Sequence, residues 1–511
     1  MKFRESFEAA SNAGIPLLAV QTIDPTSTVR VILDVLGEDT PVPVIVWDIV
    51  TGLKPLNEAG KASISAVAGG QEPAARTVLA EMLDTARGTL PDNGILIIKN
   101  AHRYLTDNLA GANVSQAIWN ERNPFKENGR MLILLCPSIK LPEELAQDVV
   151  ILDHEPLTEP ELKKIVKKVY DGVIDEYPEL SKPTPELLQR AAEACKGLSA
   201  FVAENAVAMS FGEKGLVIDR LLEKQRKSIE QIGLPMWRGK ETFQDVKGIE
   251  EVKKFLHLIF KGRSAPNVIV FMDETDKQLA GAQGGDASGV TQEMNGMMLS
   301  WMADNDIPGL NMVGFPGCSK SYITKAAGGE FDAPVVILNI SNLKGMYVGQ
   351  STQRLDNALK AILAMGRPIV MATCNKMSNM SAEWLSRFQL GIWFFDLFNQ
   401  EERRAVWEYY FDKYKLDQRT IPPDEGWTPR EIMSCCNLSW RLKLPPTLAA
   451  GYIIPVTKRS PELITDLRGL ASNNAYLSAS YPGTYTIPTE VDKVGGKRSI
   501  KLVSTGGVGE A

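Results

Sequence analysis

Short, unbroken apolar runs punctuate the first third of the chain, at 15–22, 42–50, 94–99, 130–136 and 148–153, with helical or loop segments between them. A run such as Gly94-Ile95-Leu96-Ile97-Ile98 shows no alternation of polar and apolar positions. That pattern suits strands covered on both faces, as in a parallel sheet wrapped by helices, and it predicts an α/β layer fold. From about Thr158 the spacing becomes helical. Thr158…Glu161 reads as a capping box, and Thr184-Pro185-Glu186 as a second helix start with Pro in the first helical position. Amphipathic stretches follow at 187–194, 200–209 and 215–232.

After Gly233-Leu234-Pro235 and Trp237-Arg238-Gly239 the cycle repeats. Strands are predicted at 268–272, 310–313, 335–340, 369–373 and 392–397, with a helix at 352–365. A helical block then opens at Glu401-Glu402-Arg403-Arg404 and includes a helix starting at Thr428-Pro429-Arg430-Glu431. The expected division is an α/β domain over 1–155, a helical lid-like segment over 156–238, an α/β core over 239–400, a helical lid over 401–480 and a flexible tail over 481–511. Met294, Met297, Met298, Trp301 and Met302 recur at helical spacing and read as a core-facing stripe. The stretch 57–63 holds Gly60-Lys61 but lacks a first Gly and a hydroxyl directly after the Lys, and is expected to be a loop.

Composition narrows the class. The 511 residues exceed one ordinary core, and 44% hydrophobic with 23% charged residues are globular values. A net charge of −6, from 56 basic and 62 acidic residues, argues against sequence-independent nucleic-acid binding. No apolar run reaches the ~18 residues of a membrane span, and the first residues lack a signal peptide's apolar core. The six cysteines have no metal-ligand spacing, and a reducing cytoplasm is the expected compartment. The three histidines lie far apart, against a multi-His metal site.

The stretch with the most chemistry is Gly314-Phe315-Pro316-Gly317-Cys318-Ser319-Lys320-Ser321. An apolar run enters it and a helical segment leaves it. Strand, Gly-rich turn, Lys-Ser and helix start make a phosphate-gripping loop: backbone N–H groups cradle phosphates, the Lys reaches the β/γ oxygens and the Ser hydroxyl serves Mg²⁺. Ser319 stands where the G-x-x-x-x-G-K-[ST] pattern has its second Gly. The run 268–272 delivers Asp273 and Glu274 at its end, suited to a Mg²⁺ water shell and to a water attacking the γ-phosphate. Asn375 ends another apolar run, either orienting that water or simply opening a turn. Arg387 is either an arginine finger reaching a neighbouring subunit's phosphate or a surface Arg. Arg430 sits in the first turn of its helix, where a cation opposes the dipole, which favours a phosphate-facing role. Tyr347-Val348-Gly349 could grip a peptide or be a packed turn.

Together these motifs resemble the AAA+ ATPase superfamily, and more specifically the AAA+ ATPases known as hypothetical-chloroplast-reading-frame proteins and their bacterial relatives. Gly317-Cys318-Ser319-Lys320-Ser321 is similar to that family's Q-G-C-G-K-S, Met272-Asp273-Glu274-Thr275-Asp276-Lys277 to its I-D-E-I-E-K, and Tyr347-Val348-Gly349-Gln350-Ser351 to its Y-V-G-E-S. Leu299-Ser300-Trp301-Met302, Val46-Trp47-Asp48 and 98–105 extend the likeness, which covers roughly 1–480. The resemblance implies a P-loop AAA+ module behind a degenerate AAA-like module without a phosphate loop. It implies Asp273 and Glu274 as the acidic (Walker B) pair, Asn375 as sensor 1, Arg387 as a finger in trans, Arg430 as sensor 2 and Tyr347-Val348 as a pore loop. It also implies ATP and Mg²⁺ as ligands, and a homo-oligomeric ring, usually a hexamer, that remodels a macromolecular client. The order differs from the family's: the acidic strand precedes the phosphate loop. If the usual strand neighbours persist, Asp273 must lie beside the Lys320-Ser321 helix start. A weakly hydrolysing nucleotide-binding scaffold and a nucleic-acid-linked motor or loader are the alternatives.

Overall fold

The computed structural model describes residues 2–488 except 38–39, 71, 76, 107, 232, 279–289, 341–349 and 376–381. The chain divides into two compact units, 1–228 and 229–511. Both are built on mixed α/β layers.

In the first unit the apolar runs become β1 (Leu17–Gln21), β2 (Val44–Asp48), β4 (Ile95–Lys99), β5 (Met131–Cys136) and β6 (Val150–Asp153), joined by a strand the apolar pattern did not announce, β3 (Gly52–Pro55). They form one sheet in the order β3-β2-β4-β5-β1-β6, parallel throughout except for the β2–β3 hairpin. Alternate side chains feed two cores: Leu17 and Ala19 pack on one face with Ile45 and Trp47, Leu18 and Val20 on the other with Val44 and Val46. Covered faces explain the absence of polar alternation. Residues 57–63 are not a loop. Asn57 accepts a hydrogen bond from the Gly60 N–H and caps the helix Glu58–Val67, and a Cβ on Gly60 would stand 2.6 Å from the Val44 carbonyl. The Gly serves close helix-to-strand packing. Beyond β6 a helical block begins at Glu159–Glu176 under the expected Thr158 capping box and continues through Pro185–Glu193 and Ala200–Ala208. Inside the predicted stretch 215–232, residues Gly215–Leu216 (β8) pair instead with Phe211–Gly212 (β7), and the helix starts at Ile218.

The second unit carries β9 (Met236–Trp237), β10 (Val268–Met272), β11 (Gly309–Gly314), β12 (Val335–Ile337), β13 (Pro368–Cys374), β14 (Ile392–Phe395) and β15 (Leu477–Ser478). Their order is β15-β14-β11-β13-β10-β12-β9, parallel except for the β9 edge. The pairing graph repeats that of the first unit. There β5 lies between β1 and β4, with β6 beyond β1 and β2 then antiparallel β3 beyond β4; here β13 lies between β11 and β10, with β14, β12 and antiparallel β9 in the matching places. What differs is chain order. The strand matching β10 follows the strand matching β11 in the first unit and precedes it in the second. The backbone after the two central strands also agrees: Asn100 after β4 and Glu274 after β10 both take the left-handed conformation, at φ 55° and 49°.

The methionine stripe of the helix Val290–Asp304 is core, as expected: Met294, Met298 and Met302 are buried against β10, together with Trp301. The predicted strand 335–340 pairs only as far as Ile337. Within 481–488, the start of the stretch assigned to a flexible tail, one residue is anchored in this unit. Tyr485 is buried, meets Phe394 edge-on and donates from its hydroxyl to Asp396 at 2.8 Å. An aromatic ring with a satisfied hydroxyl provides that anchor.

Candidate functional site

Because β10, β11 and β13 are parallel neighbours, their C-terminal ends open on one edge of the sheet, where α/β folds hold their ligands. The Gly-rich loop 314–321 leaves β11 there. It is held down by side chains that turn away from the edge: Phe315 is fully buried and meets Phe394 edge-on, and Cys318 is fully buried, with burial pushing its thiol up to about 12. Gly314 has φ 149°, and a Cβ there would lie 2.2 Å from the Phe395 carbonyl. Ser319 adopts φ 66°, ψ 12°, the left-handed conformation for which the family pattern has glycine, and its side chain makes no cap hydrogen bond.

The helix Lys320–Glu330 begins beside β10. Ser321 donates from Oγ to Asp273 Oδ1 at 2.9 Å, and Thr373 on β13 donates to the same oxygen at 2.5 Å. Thr373 Oγ1 also accepts from the Glu274 N–H at 2.9 Å. Lys320 is 7% exposed and places its three protons on the Gly314 carbonyl (2.6 Å), the Phe315 carbonyl (2.8 Å) and Asn375 Oδ1 (3.0 Å). Burial pushes its ammonium down to about 8. Glu274 pairs with Lys277 at 2.8 Å. Gln278 donates to the Asp273 carbonyl at 2.7 Å and accepts from the Ile340 N–H at 3.1 Å, tying the acidic strand's end to the segment after β12.

A further wall comes from the helix Pro429–Leu442, capped by Thr428 with Glu431 accepting from the Thr428 N–H at 2.8 Å. The Arg430 N–H donates to the Gly317 carbonyl at 3.3 Å. Gly317, at φ 89°, would bring a Cβ to 2.9 Å from Thr428 Oγ1 and 3.0 Å from Arg430 Cβ, so only glycine lets the loop and this helix meet so closely.

These elements enclose a cavity of about 330 Å³. Asp273, Glu274, Pro316, Gly317, Ser319, Lys320, Ser321, Asn375 and Arg430, all singled out from sequence, line it. Gly314, Phe315 and Cys318 shape the loop from behind without lining the cavity. Arg387 is half-buried after the short helix Ala382–Ser386, with its Nε buried and unpartnered, and is not among the lining residues. Tyr347 and Val348 lie outside the described residues. Sequence reasoning missed Thr373, and it also missed Glu241, Tyr322, Tyr410, Lys413 and Met433, which line the same cavity. Lys413 lies 5.5 Å from the Tyr409 ring centre and 5.7 Å from that of Tyr410. A hydroxyl two residues before Asn375, on the strand that leads to it, was the only signal for Thr373. Glu241, Tyr410 and Lys413 had none, being remote in sequence from every motif, while Tyr322 and Met433 lie one and three residues beyond Ser321 and Arg430.

Residues 3–154 match the SpoVK-like AAA ATPase N-terminal domain, and residues 310–371 match the AAA family of ATPases associated with various cellular activities. An uncharacterized AAA domain-containing protein ycf46 of Trieres chinensis is 21% identical over 369 residues, and its counterpart in Guillardia theta 21% identical over 367. Each match covers 70% of this chain and 62% of the relative, so the chain spans less than two thirds of the length of these relatives. Among the described residues no helix is long and apolar enough to cross a membrane. Sheet, loop and both family matches point the same way: the chain resembles the AAA ATPases, with a SpoVK-like N-terminal domain followed by an AAA domain, and is similar to the ycf46 AAA domain-containing proteins.

Proposed function

We propose that the second unit binds ATP with Mg²⁺ and hydrolyses it. The observation that carries this reading is the contact of Ser321 with Asp273, beside a Lys320 buried in the phosphate loop. Two segments in reversed chain order meet where the chemistry needs them. A hydroxyl and a carboxylate are hard oxygen donors that suit Mg²⁺, which binds through one or two such groups plus phosphate oxygens. Ser321 can offer its oxygen to the cation while its proton stays with Asp273. When bound, Mg²⁺ supplies neutralisation of phosphate charge.

The chain's own residues do the rest. Loop N–H groups and the start of the helix Lys320–Glu330 hold the phosphates. Lys320 exchanges its contacts with the loop carbonyls for β/γ oxygens. Glu274 takes a proton from water as its oxygen bonds to the γ-phosphorus and the bond to the β–γ bridging oxygen breaks, giving ADP and phosphate. Asn375, released from Lys320, orients that water, and Arg430 faces the phosphates from the lid. Arg387, set apart from the cavity, fits a role toward a neighbouring subunit. A homo-oligomeric ring, a hexamer by analogy with AAA ATPases, acting on a macromolecular client in the cytoplasm completes the reading. The Glu274–Lys277 ion pair favours one alternative, a nucleotide-binding scaffold with slow turnover, because it occupies the base.

The test is steady-state ATP hydrolysis by the full chain with Lys320→Ala and Glu274→Gln. Loss of a general base costs about 10²–10⁴-fold, so Glu274→Gln should fall at least a hundredfold below the parent, and Lys320→Ala should lose activity together with its grip on the β/γ oxygens. A parent no faster than either variant would sink the enzyme reading. ATP binding retained in that case would leave the scaffold.

A further inference from the structure

Thr373 belongs to none of the motifs, yet it is the residue on which the acidic pair converges. It is 2% exposed, at the penultimate position of β13. One hydroxyl does two jobs: it donates to Asp273 Oδ1 at 2.5 Å and accepts from the Glu274 N–H at 2.9 Å. Its backbone carbonyl accepts from Thr275 Oγ1 at 2.9 Å. Three successive residues after β10 are thus tied to one residue of the neighbouring strand.

The bonds matter because the backbone they hold is unfavourable. Glu274 has φ 49° without being glycine, and such a conformation persists only where its surroundings over-determine it. The Glu274 N–H is fixed by Thr373, which sets where the Glu274 side chain starts. Asp273 is held from two sides, by Ser321 and Thr373, on the same oxygen. A short hydrogen bond to a carboxylate is among the stronger kinds, and a buried N–H left without its acceptor is costly.

We infer that Thr373 is a positioning residue for the hydrolytic reaction: its hydroxyl locks the Asp273 carboxylate for the cation and the Glu274 backbone for the attacking water. This rests on the ATPase reading above. The lock acts on both acidic residues at once, which a hydroxyl serving strand packing alone would not do.

The test compares Thr373→Val, which keeps the shape and removes the hydroxyl, with Thr373→Ser, which keeps the hydroxyl. Three quantities are read on the full chain: kcat and KM for ATP, Mn²⁺ affinity of the ATP-loaded chain by electron paramagnetic resonance, and binding of ATP without metal. Thr373→Val should lower kcat about tenfold or more, the scale of one charge-assisted hydrogen bond. It should weaken Mn²⁺ binding several-fold and leave metal-free ATP binding and KM within about twofold. Thr373→Ser should restore kcat and Mn²⁺ affinity. Unchanged kcat and Mn²⁺ affinity in Thr373→Val would overturn the inference. So would Thr373→Ser failing as Thr373→Val does, or metal-free ATP binding falling along with everything else, the mark of a merely structural residue. Absence of ATP binding in the parent chain would instead sink the ATPase reading, and the inference with it. The Mn²⁺ titration needs no turnover, so it decides the case for a slow enzyme as well.

Discussion

Replacing Ser319 by glycine should make this protein more stable and bind ATP at least as tightly. Ser319 sits at φ 66°, ψ 12°, directly before the helix that starts at Lys320. An L-residue in that region costs roughly 1–2 kcal/mol relative to an ordinary conformation. The usual compensation, a side-chain hydrogen bond into the first helical turn, is absent here, so glycine forfeits no cap. Against the relief stands the larger freedom of glycine in the unfolded chain, roughly 0.5–1 kcal/mol. The balance is a gain of about 0–1.5 kcal/mol, centred on about 0.8 kcal/mol. For a unit of this size 1 kcal/mol corresponds to about 2–4 °C, so a gain near the middle of that range should raise the second unit's Tm by about 1–4 °C. Ser319 also lines the cavity, and removing its hydroxymethyl group leaves more room for phosphate. The assay is calorimetric unfolding of the parent, Ser319→Gly and Ser319→Ala, with equilibrium ATP binding on each. Alanine keeps the Cβ and therefore the strain, and should show no gain. A Tm that falls in Ser319→Gly, or rises equally in Ser319→Ala, would refute the idea that backbone strain at this position outweighs the entropy of glycine.

Two further expectations concern the same loop. Burial holds the Lys320 pKa near 8, below its unfolded value, so the free chain loses this cation as pH passes 8. ATP affinity should therefore weaken above pH 8, by up to about tenfold per unit if the ammonium is required, while the Lys320→Ala chain shows no such slope. The sign for stability is opposite: between about pH 8 and the normal lysine pKa the unfolded state binds more protons, so Lys320 makes folding more favourable as pH rises through that window, measurable as a difference in denaturant midpoints between parent and Lys320→Ala. Gly314→Ala would drive a Cβ to 2.2 Å from the Phe395 carbonyl and should destabilise the second unit by at least about 2 kcal/mol; an unshifted denaturation midpoint would contradict the close β11–β14 approach.

Much of this was readable along the chain because its causes are local. Apolar runs without alternation located every predicted sheet strand to within a few residues, from Ile95–Lys99 to Pro368–Cys374. Thr158, Thr184 and Thr428 marked helix starts through bonds that span three residues. The phosphate loop, the acidic pair and Asn375 stood out for the same reason, each a short segment with its own chemistry. Other features answered to distant partners. The strands β9 and β15 have two residues each and exist only through ladders to β12 and β14, and the stretch 57–63 became a helix through an Asn cap and its packing on β2.

The sequence by itself determined which residues could grip a phosphate and polarise a water, because loop chemistry and strand-end carboxylates are properties of short segments. Only the tertiary structure brings them to one cavity. The acidic strand comes before the phosphate loop in the chain, and nothing along the chain says whether the two meet. They meet because β13 lies between β10 and β11 and all three run parallel, which brings Asp273, Ser321 and Thr373 to one edge. Hydrogen bonding between strands depends on which neighbours the sheet brings together, and chain order alters only the crossovers that join them.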